Sequence, residues 1–207
     1  GTTTGNYNVA VGRAALSDNT TADNNTAVGY AALNANTTAS NNTAVGYNAL
    51  LSNTTGTYNI AVGAYALDVN TTGQENIAIG AHALGANVTS SHNTAVGYSA
   101  LWKNTAANNT ALGYNTLGET TSGEQNVAVG AYSLDANVTG NHNVAVGYQS
   151  LTSNTGSNNT ALGHVAMYSN TTGTQNVAVG YAALDANTTA DNNTAIGYAS
   201  LTSNTTG

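Results

Sequence analysis

The sequence predicts an all-β fold, a parallel β-solenoid of twelve coils of about 17 residues, and three observations carry that prediction. The motif Asn-x-Ala-(Val/Ile/Leu)-Gly begins at Asn8, Asn25, Asn42, Asn59, Asn76, Asn93, Asn109, Asn126, Asn143, Asn159, Asn176 and Asn193, a spacing of 17 residues with two steps of 16. Each unit opens with a short alternating, β-branched stretch and closes in Asn, Thr and Gly, the residues of tight turns. The 207 residues contain no Pro, as expected where every coil must offer its amide hydrogens to the next.

One unit, residues 42–58, justifies each element in turn. Asn42 to Tyr47 alternates as a strand does, with Thr43, Val45 and Tyr47 on one face and Ala44 and Gly46 on the other. The Asn53-Thr54-Thr55-Gly56 segment that follows is turn chemistry. The first, third and fifth positions are Asn, Ala and Gly in every unit; the ninth is Leu except at Met167, and the twelfth is Asn except at Thr120. A single unit has too little apolar surface to fold alone, so the units must stack, Val over Val and Leu over Leu, with parallel strands. At ~4.8 Å per strand, twelve coils make a rod roughly 55–60 Å long. The Ala and Gly columns imply close approach by the opposite wall of a thin coil or by a neighbouring subunit. Two apolar layers, one inside the coil and one between chains, would account for the Val/Leu and Ala/Gly columns. The Asn at the first and twelfth positions are placed to form ladders, each bonding to its copy one coil away. Helical repeats would call for Ala, Leu, Glu and Lys at 3.6-residue spacing, and each unit is too short for a helix pair.

The array occupies residues 1–207 as a single repeat domain, with no linker or second composition, and reads as a segment of a longer fibre or filament. Charged residues make up 5% of the chain, the formal net charge is -7, and Arg13 and Lys103 are its only Lys or Arg. Nucleic-acid binding, which needs clustered cations, is therefore not expected, nor is attraction to anionic membranes. No apolar run approaches the ~20 residues of a membrane span. The absence of Cys removes disulfides and thiolate metal sites. Abundant Asn, Thr and Gly do not signal disorder here, because disordered tracts do not keep Val and Leu in phase. A longer period is also present: residues 93–142 and 143–192 match across three coils, including the two shortened steps.

Units such as Asn41 to Gly56, Asn-Asn-Thr-Ala-Val-Gly-Tyr-Asn-Ala-Leu-Leu-Ser-Asn-Thr-Thr-Gly, resemble the β-roll repeats of phage tail-fibre and tail-spike-like proteins. More distantly, they are similar to the head repeats of trimeric autotransporter adhesins. The resemblance implies a left-handed parallel β-roll assembled as a homotrimer and used as an adhesive shaft or head. The 17-residue period and the Ala-Leu segment depart from the adhesin pattern.

Single residues give weaker signals. His82, His92, His142 and His164 are the only strong metal-ligand side chains. His92 and His142 lie three coils apart, about 14 Å and too far to share a metal, so surface histidines and no metal site are expected. Glu119 and Glu124 flank the coil that lost its Asn, but no base, nucleophile or pocket signal accompanies them. Tyr30 and Tyr47, Tyr98 and Tyr114, and Tyr181 and Tyr198 fall at the sixth position of successive coils, where rings can stack. Trp102 and Tyr168 occupy the freely varying tenth position and are the candidates for contact with a surface or glycan. Asn19, Asn36, Asn53, Asn70, Asn170 and Asn187 lie in Asn-x-Thr sequons and are candidate glycosylation positions, although a repeat containing Asn-Thr-Thr creates such sequons by default.

The expected function is that of a non-enzymatic, extracellular fibre segment on a phage tail or bacterial surface, with no cofactor. Its partners would be copies of itself and cell-surface glycans, and it would not insert into membranes. Two alternatives are a self-assembling, glycosylated filament and an ice-binding solenoid that uses the Thr20/Thr21, Thr37/Thr38, Thr54/Thr55 and Thr71/Thr72 ranks.

Overall fold

A computed structural model describes residues 4–206; Gly1 and Gly207 at the ends of the array lie outside them. The chain forms a parallel β-solenoid with a single twelve-stranded sheet. The strands run from β1 (Val9–Val11) through β3 (Thr43–Val45) to β12 (Thr194–Ile196), each of three residues, and each pairs with its neighbours in chain order. The register is fixed by the repeat: Thr43 faces Thr26 and Ile60, Ala44 faces Ala27 and Ala61, and Val45 faces Val28 and Val62. Among the described residues there is no helix, and hence none long and apolar enough to cross a membrane.

The remaining residues of each coil turn the chain back beneath itself. Two tight turns close in succession, as where Ala66 N–H donates to the Gly63 carbonyl (3.3 Å) and Asn70 N–H to the Leu67 carbonyl (3.3 Å). The turns use the left-handed backbone region repeatedly. Gly46 (φ +140°), Asn48 (+53°), Leu50 (+51°) and Tyr58 (+58°) show the pattern within one unit. A non-glycine residue there costs roughly 1–2 kcal/mol, and a Leu there is unusual. The conformation is held because it aims N–H groups along the rod axis. Gly46 N–H donates to the Val28 carbonyl (2.8 Å), Asn48 N–H to the Tyr30 carbonyl (2.9 Å) and Leu50 N–H to the Ala66 carbonyl (2.9 Å). At Gly46 space adds to conformation: a Cβ would stand 2.5 Å from the Gly63 carbonyl oxygen.

The core is narrow and chemically mixed. In the inner coils the copies of Ala44 and Leu50 are buried and form one continuous apolar column, joined at the eighth position by Ala49 and its Ala copies, with Thr116, Ser133 and Ser150 buried at that position in three coils. The Asn of the first and twelfth positions are buried beside it. Asn59 shows how an amide is accommodated in such a core. Its Nδ2 donates to the Gly73 carbonyl (2.8 Å), and its Oδ1 accepts from Asn76 N–H (3.0 Å) and Asn76 Nδ2 (3.1 Å). The twelfth-position ladder runs from Asn36 through Asn53 and Asn70 to Asn87, at 3.1, 2.9 and 3.2 Å. Both expected ladders are therefore present.

The second ladder breaks where the repeat breaks. In the full-length unit Asn42 Nδ2 reaches the Gly56 carbonyl across 14 positions, whereas in the shortened units Asn93 reaches Ala106, and Asn143 reaches Gly156, across 13. Asn104 and Asn154, just before the lost residue, turn their Oδ1 atoms toward Asn109 (3.1 Å) and Asn159 (3.2 Å). Asn87 Oδ1 and Asn137 Oδ1, one coil before them, are left without a protein partner, as is the buried Thr120 hydroxyl.

The pairing of apolar columns differs from the sequence expectation. Ala shares the interior with Leu, and the Val/Ile/Leu of the fourth position point outward: Leu112 and Leu162 are each 47% exposed. The close approach signalled by Ala is that of the two walls of one coil, where Leu from the far wall meets the strand. Alternation along a strand of three residues defines two faces but does not say which is inner.

Two measurements check this arrangement. Leu84→Ala should lower unfolding free energy by about 2–5 kcal/mol in urea titration, as a cavity in a tight column does, whereas Val62→Thr on the outer face of the isolated chain should change it little. Thr120→Asn, which supplies the missing rung, should raise it by about 1 kcal/mol; a neutral or destabilising result would mean that the ladder does not contribute there.

Candidate functional site

A continuous ladder of rings runs along the outside of the rod. The three expected tyrosine pairs stack, with centroids 5.2 Å apart for Tyr30 and Tyr47, 5.5 Å for Tyr98 and Tyr114 and 5.1 Å for Tyr181 and Tyr198. The ladder is longer than these pairs. Tyr65 follows Tyr47 at 5.3 Å, His82 stacks on Tyr65 at 5.3 Å and His164 on Tyr148 at 5.4 Å, so rings succeed one another from Tyr30 to Tyr198, and Arg13 sits over Tyr30. In the three units whose sixth position is Ala, the seventh is Tyr65, His82 or Tyr132. The ring steps sideways by one residue and meets a neighbour edge-on, as at Tyr47–Tyr65 and Tyr114–Tyr132. Both geometries are favourable for aromatic pairs. This exchange between the two positions is visible in the sequence once the coils are aligned, and pairwise reading of the sixth position overlooks it.

Against this ladder lies a cleft of about 400 Å³, lined by His82, Tyr98, Trp102, Tyr114, Glu119 and Asp135, with Ser99, Asn115 and Gly118 also contributing. Its architecture comes from the tenth-position column, which runs Asp68, Gly85, Trp102, Gly118, Asp135 over five successive coils. A Cβ on Gly85 would stand 2.9 Å from Trp102 Cδ1, and one on Gly118 would stand 2.8 Å from Asp135 Oδ1. Neither glycine has a positive φ, so each serves for its lack of volume. Gly85 makes room for the indole, and Gly118 leaves the floor open between Trp102 and Asp135. Trp102 stays 45% exposed.

The cleft's charges are unevenly matched. Lys103 Nζ pairs with Glu119 Oε2 at 2.5 Å and lies 5.5 Å from the centre of the Trp102 ring. Asp135 has no such cation. Burial pushes its carboxyl above the ordinary Asp range and nearby Glu119 adds to this, against the opposing pull of the Gly118 backbone N–H and of Lys103. Asp68 and Asp185, at the same coil position, are likewise raised by burial.

The other candidates fall elsewhere. Tyr168 is exposed on the tenth-position column but does not line the cleft. Glu124 is not brought to Glu119 in the cleft; its backbone N–H bonds Asn141 Oδ1 at 2.7 Å on the surface. His82 and His164 are ladder rungs, and His92 is exposed, 3.5 Å from Glu75. Among the described residues no three His, Cys, Asp or Glu converge as a metal centre would require.

The six sequon asparagines lie inside the coil. Asn19, Asn36, Asn53, Asn70, Asn170 and Asn187 are all buried in the core, with Nδ2 donating to backbone carbonyls, as Asn53 does to Gly56 (2.9 Å) and Asn170 to Gly173 (3.0 Å). The folded coil has no space for a sugar on those amides. The same Asn-Thr-Thr text that reads as a sequon is the interior turn of the repeat.

The fold and surface define a parallel β-solenoid with an aromatic spine and a cleft beside it. The chain matches no family model, and no curated protein or solved structure is similar to it.

The raised carboxyls set a pH dependence. A carboxyl whose folded pKa exceeds its unfolded value binds protons more readily in the fold, so its contribution to stability grows as pH falls through the folded value and is lost at higher pH. Asp68→Asn, Asp135→Asn and Asp185→Asn should therefore each raise the melting temperature at pH 7 and lessen its change between pH 7 and the ordinary Asp range. Unchanged melting at both ends would refute the burial of these groups.

Proposed function

We propose that this chain is a non-enzymatic structural and adhesive fibre segment, working outside the cell on a phage tail or bacterial surface and self-associating, most simply as a homotrimer. The observation that carries this reading is the outer face of the sheet. The fourth position is Val, Ile or Leu in every unit, and the second position is Thr, Val or Ile. Together they form an uncharged strip running the length of the rod, with Ile60, Ile79, Leu112, Val127, Val144 and Leu162 exposed. Continuous apolar surface of this kind marks an interaction site. A strip with a uniform repeat is matched in register by another copy of itself, which favours this same chain as the occupant. Three strips facing a common axis would bury all of them and leave the aromatic ladder and the cleft for contact with other molecules.

The ice-binding alternative is less well supported, because the first Thr in three of the four ranks, Thr20, Thr54 and Thr71, donates its hydroxyl hydrogen to the rod itself. Thr54 Oγ1 donates to the Thr71 carbonyl (3.0 Å), and Thr71 Oγ1 to the Val88 carbonyl (3.1 Å). Those hydroxyls are not free to order water. A self-assembling filament remains compatible with the outer strip; its glycosylation would have to fall somewhere other than the six buried asparagines.

Sedimentation equilibrium on the purified chain tests the assembly. Three chains per particle are expected, and Val45→Asp with Val62→Asp should release single chains by placing carboxylates in the buried strip. A wild-type mass of one chain would overturn the trimer, and open-ended filaments in negative-stain images would favour the alternative.

A further inference from the structure

The cleft is a singular feature of a repetitive rod. Residues 93–142 and 143–192 share their coil lengths and are identical at 27 of 50 positions, and the positions that build the cleft are among those that differ. Trp102 corresponds to Thr152, Gly118 to Tyr168, Lys103 to Ser153 and Glu119 to Ser169, whereas Asp135 keeps its counterpart Asp185. Where one copy leaves a glycine gap beside an indole, the other places a tyrosine ring and has no indole. The backbone of the two copies is alike at this point, since neither Gly118 nor Tyr168 has a positive φ. The opening therefore comes from side-chain choice and not from an irregular coil.

Its lining has a definite chemical character. Trp102 offers an exposed flat ring, Tyr98 and Tyr114 offer two more on the adjoining ladder, and Asn115 and Ser99 add small polar groups. Glu119 is already paired with Lys103. Asp135 remains as a half-buried acceptor with no cation of its own at the open end. Such a site suits a molecule with one apolar face and a rim of hydroxyl donors. It disfavours anions, because Asp135 has no cation paired with it and the net charge of the chain is -7.

We propose that the cleft between Trp102 and Asp135 binds one pyranose of a neutral glycan, with the sugar's apolar face on the indole and adjacent hydroxyls donating to the Asp135 carboxylate. The proposal deepens the adhesive reading and rests on it for the biological setting only; binding itself is a property of the cleft. It assigns one glycan site per chain, centred on Trp102, and none at Tyr168. Sialylated and uronic acid sugars are excluded by charge.

Trp102 is the only tryptophan among twelve tyrosines, so tryptophan emission, excited beyond the tyrosine absorption band, reports on this cleft alone. Titration of the full chain with chitotriose and with mannotriose should give a saturable change for at least one of them, and 3′-sialyllactose should give none. Gly118→Tyr, which installs the side chain the duplicated unit carries at this point, should abolish the change while preserving the circular dichroism spectrum and melting temperature. Asp135→Asn, which keeps the shape and removes the charged acceptor, should weaken binding about tenfold. A change that survives Gly118→Tyr, equal or tighter binding of sialyllactose, or a response to choline alone would overturn the proposal. Attachment of the assembled rods to bacterial cells, measured in parallel, separates the two readings. Rods that attach but show no sugar-dependent change at Trp102 overturn the cleft and leave adhesion standing. Rods that bind sugar at Trp102 but attach to no cell surface overturn adhesion and leave the cleft.

Discussion

Hydrogen bonding along the rod axis is the constraint on which everything else in this molecule depends. Strand residues, turn residues and core amides all find partners one coil away, and little holds a coil together by itself. That is why Leu50 and its copies can occupy the left-handed backbone region. The strain of a Leu in that conformation is offset only when the coil above supplies the carbonyl to which its N–H donates. The same dependence explains the Asn columns. A buried amide is costly alone but is satisfied when the next coil stands beside it, as the Asn59 side chain is by Asn76 and the Gly73 carbonyl, while the Asn59 backbone N–H donates to Asn42 Oδ1. Removing the neighbour makes both features unfavourable together, so the coils are expected to form and melt in groups, as in a one-dimensional cooperative array.

This dependence also locates the weak places. The two shortened coils each omit one residue of the Thr pair, which breaks the rungs between Asn87 and Asn104 and between Asn137 and Asn154 and leaves Asn87 and Asn137 with free side-chain carbonyl oxygens, although Asn154 Oδ1 still accepts from Asn170 Nδ2 on its other side (2.6 Å). Thr120 stands between them with an unpaired buried hydroxyl. The ladder's defects therefore fall within five successive coils, those of Asn87, Asn104, Thr120, Asn137 and Asn154, and the cleft lies over the first four of them. The sheet itself is undisturbed: β6 (Thr94–Val96) and β7 (Thr110–Leu112) pair in the same register as full-length neighbours. Because the deletion falls in the turn, it leaves strand register intact.

Much of the fold was legible in the sequence because the repeat states it twelve times. Strand position, parallel pairing, register and both Asn ladders follow from which residues never vary. Which strand face turns inward was not legible, since Thr43, Val45 and Ala44 are all compatible with burial and only the size of the space inside the coil decides for Ala. The six sequons misled for a related reason: a local motif carries no information about whether its side chain points into a core. For the site, Trp102 was identifiable as an irregular residue at a variable position. Its companions were not, because Asp135, Tyr114 and His82 come from three other coils and look ordinary in their own repeats. Gly85 and Gly118, one coil on either side of Trp102 in the same column, were the available signal. Their meaning depends on knowing that the tenth position needs no special backbone conformation.

That last point has a consequence for how such a protein changes over generations. The tenth position carries Ser17, Asn34, Leu51, Asp68, Gly85, Trp102, Gly118, Asp135, Thr152, Tyr168, Asp185 and Thr202 without altering the coil. Substitution there leaves the path of the coil unchanged, while the positions that build the rod tolerate almost nothing. Copying three whole coils lengthens the rod and also supplies a second set of tenth positions, free to diverge, as Gly118 and Tyr168 have done. Shape is thus inherited through one set of columns and recognition through another, and a new surface can arise by substitutions that leave the coil's backbone as it was.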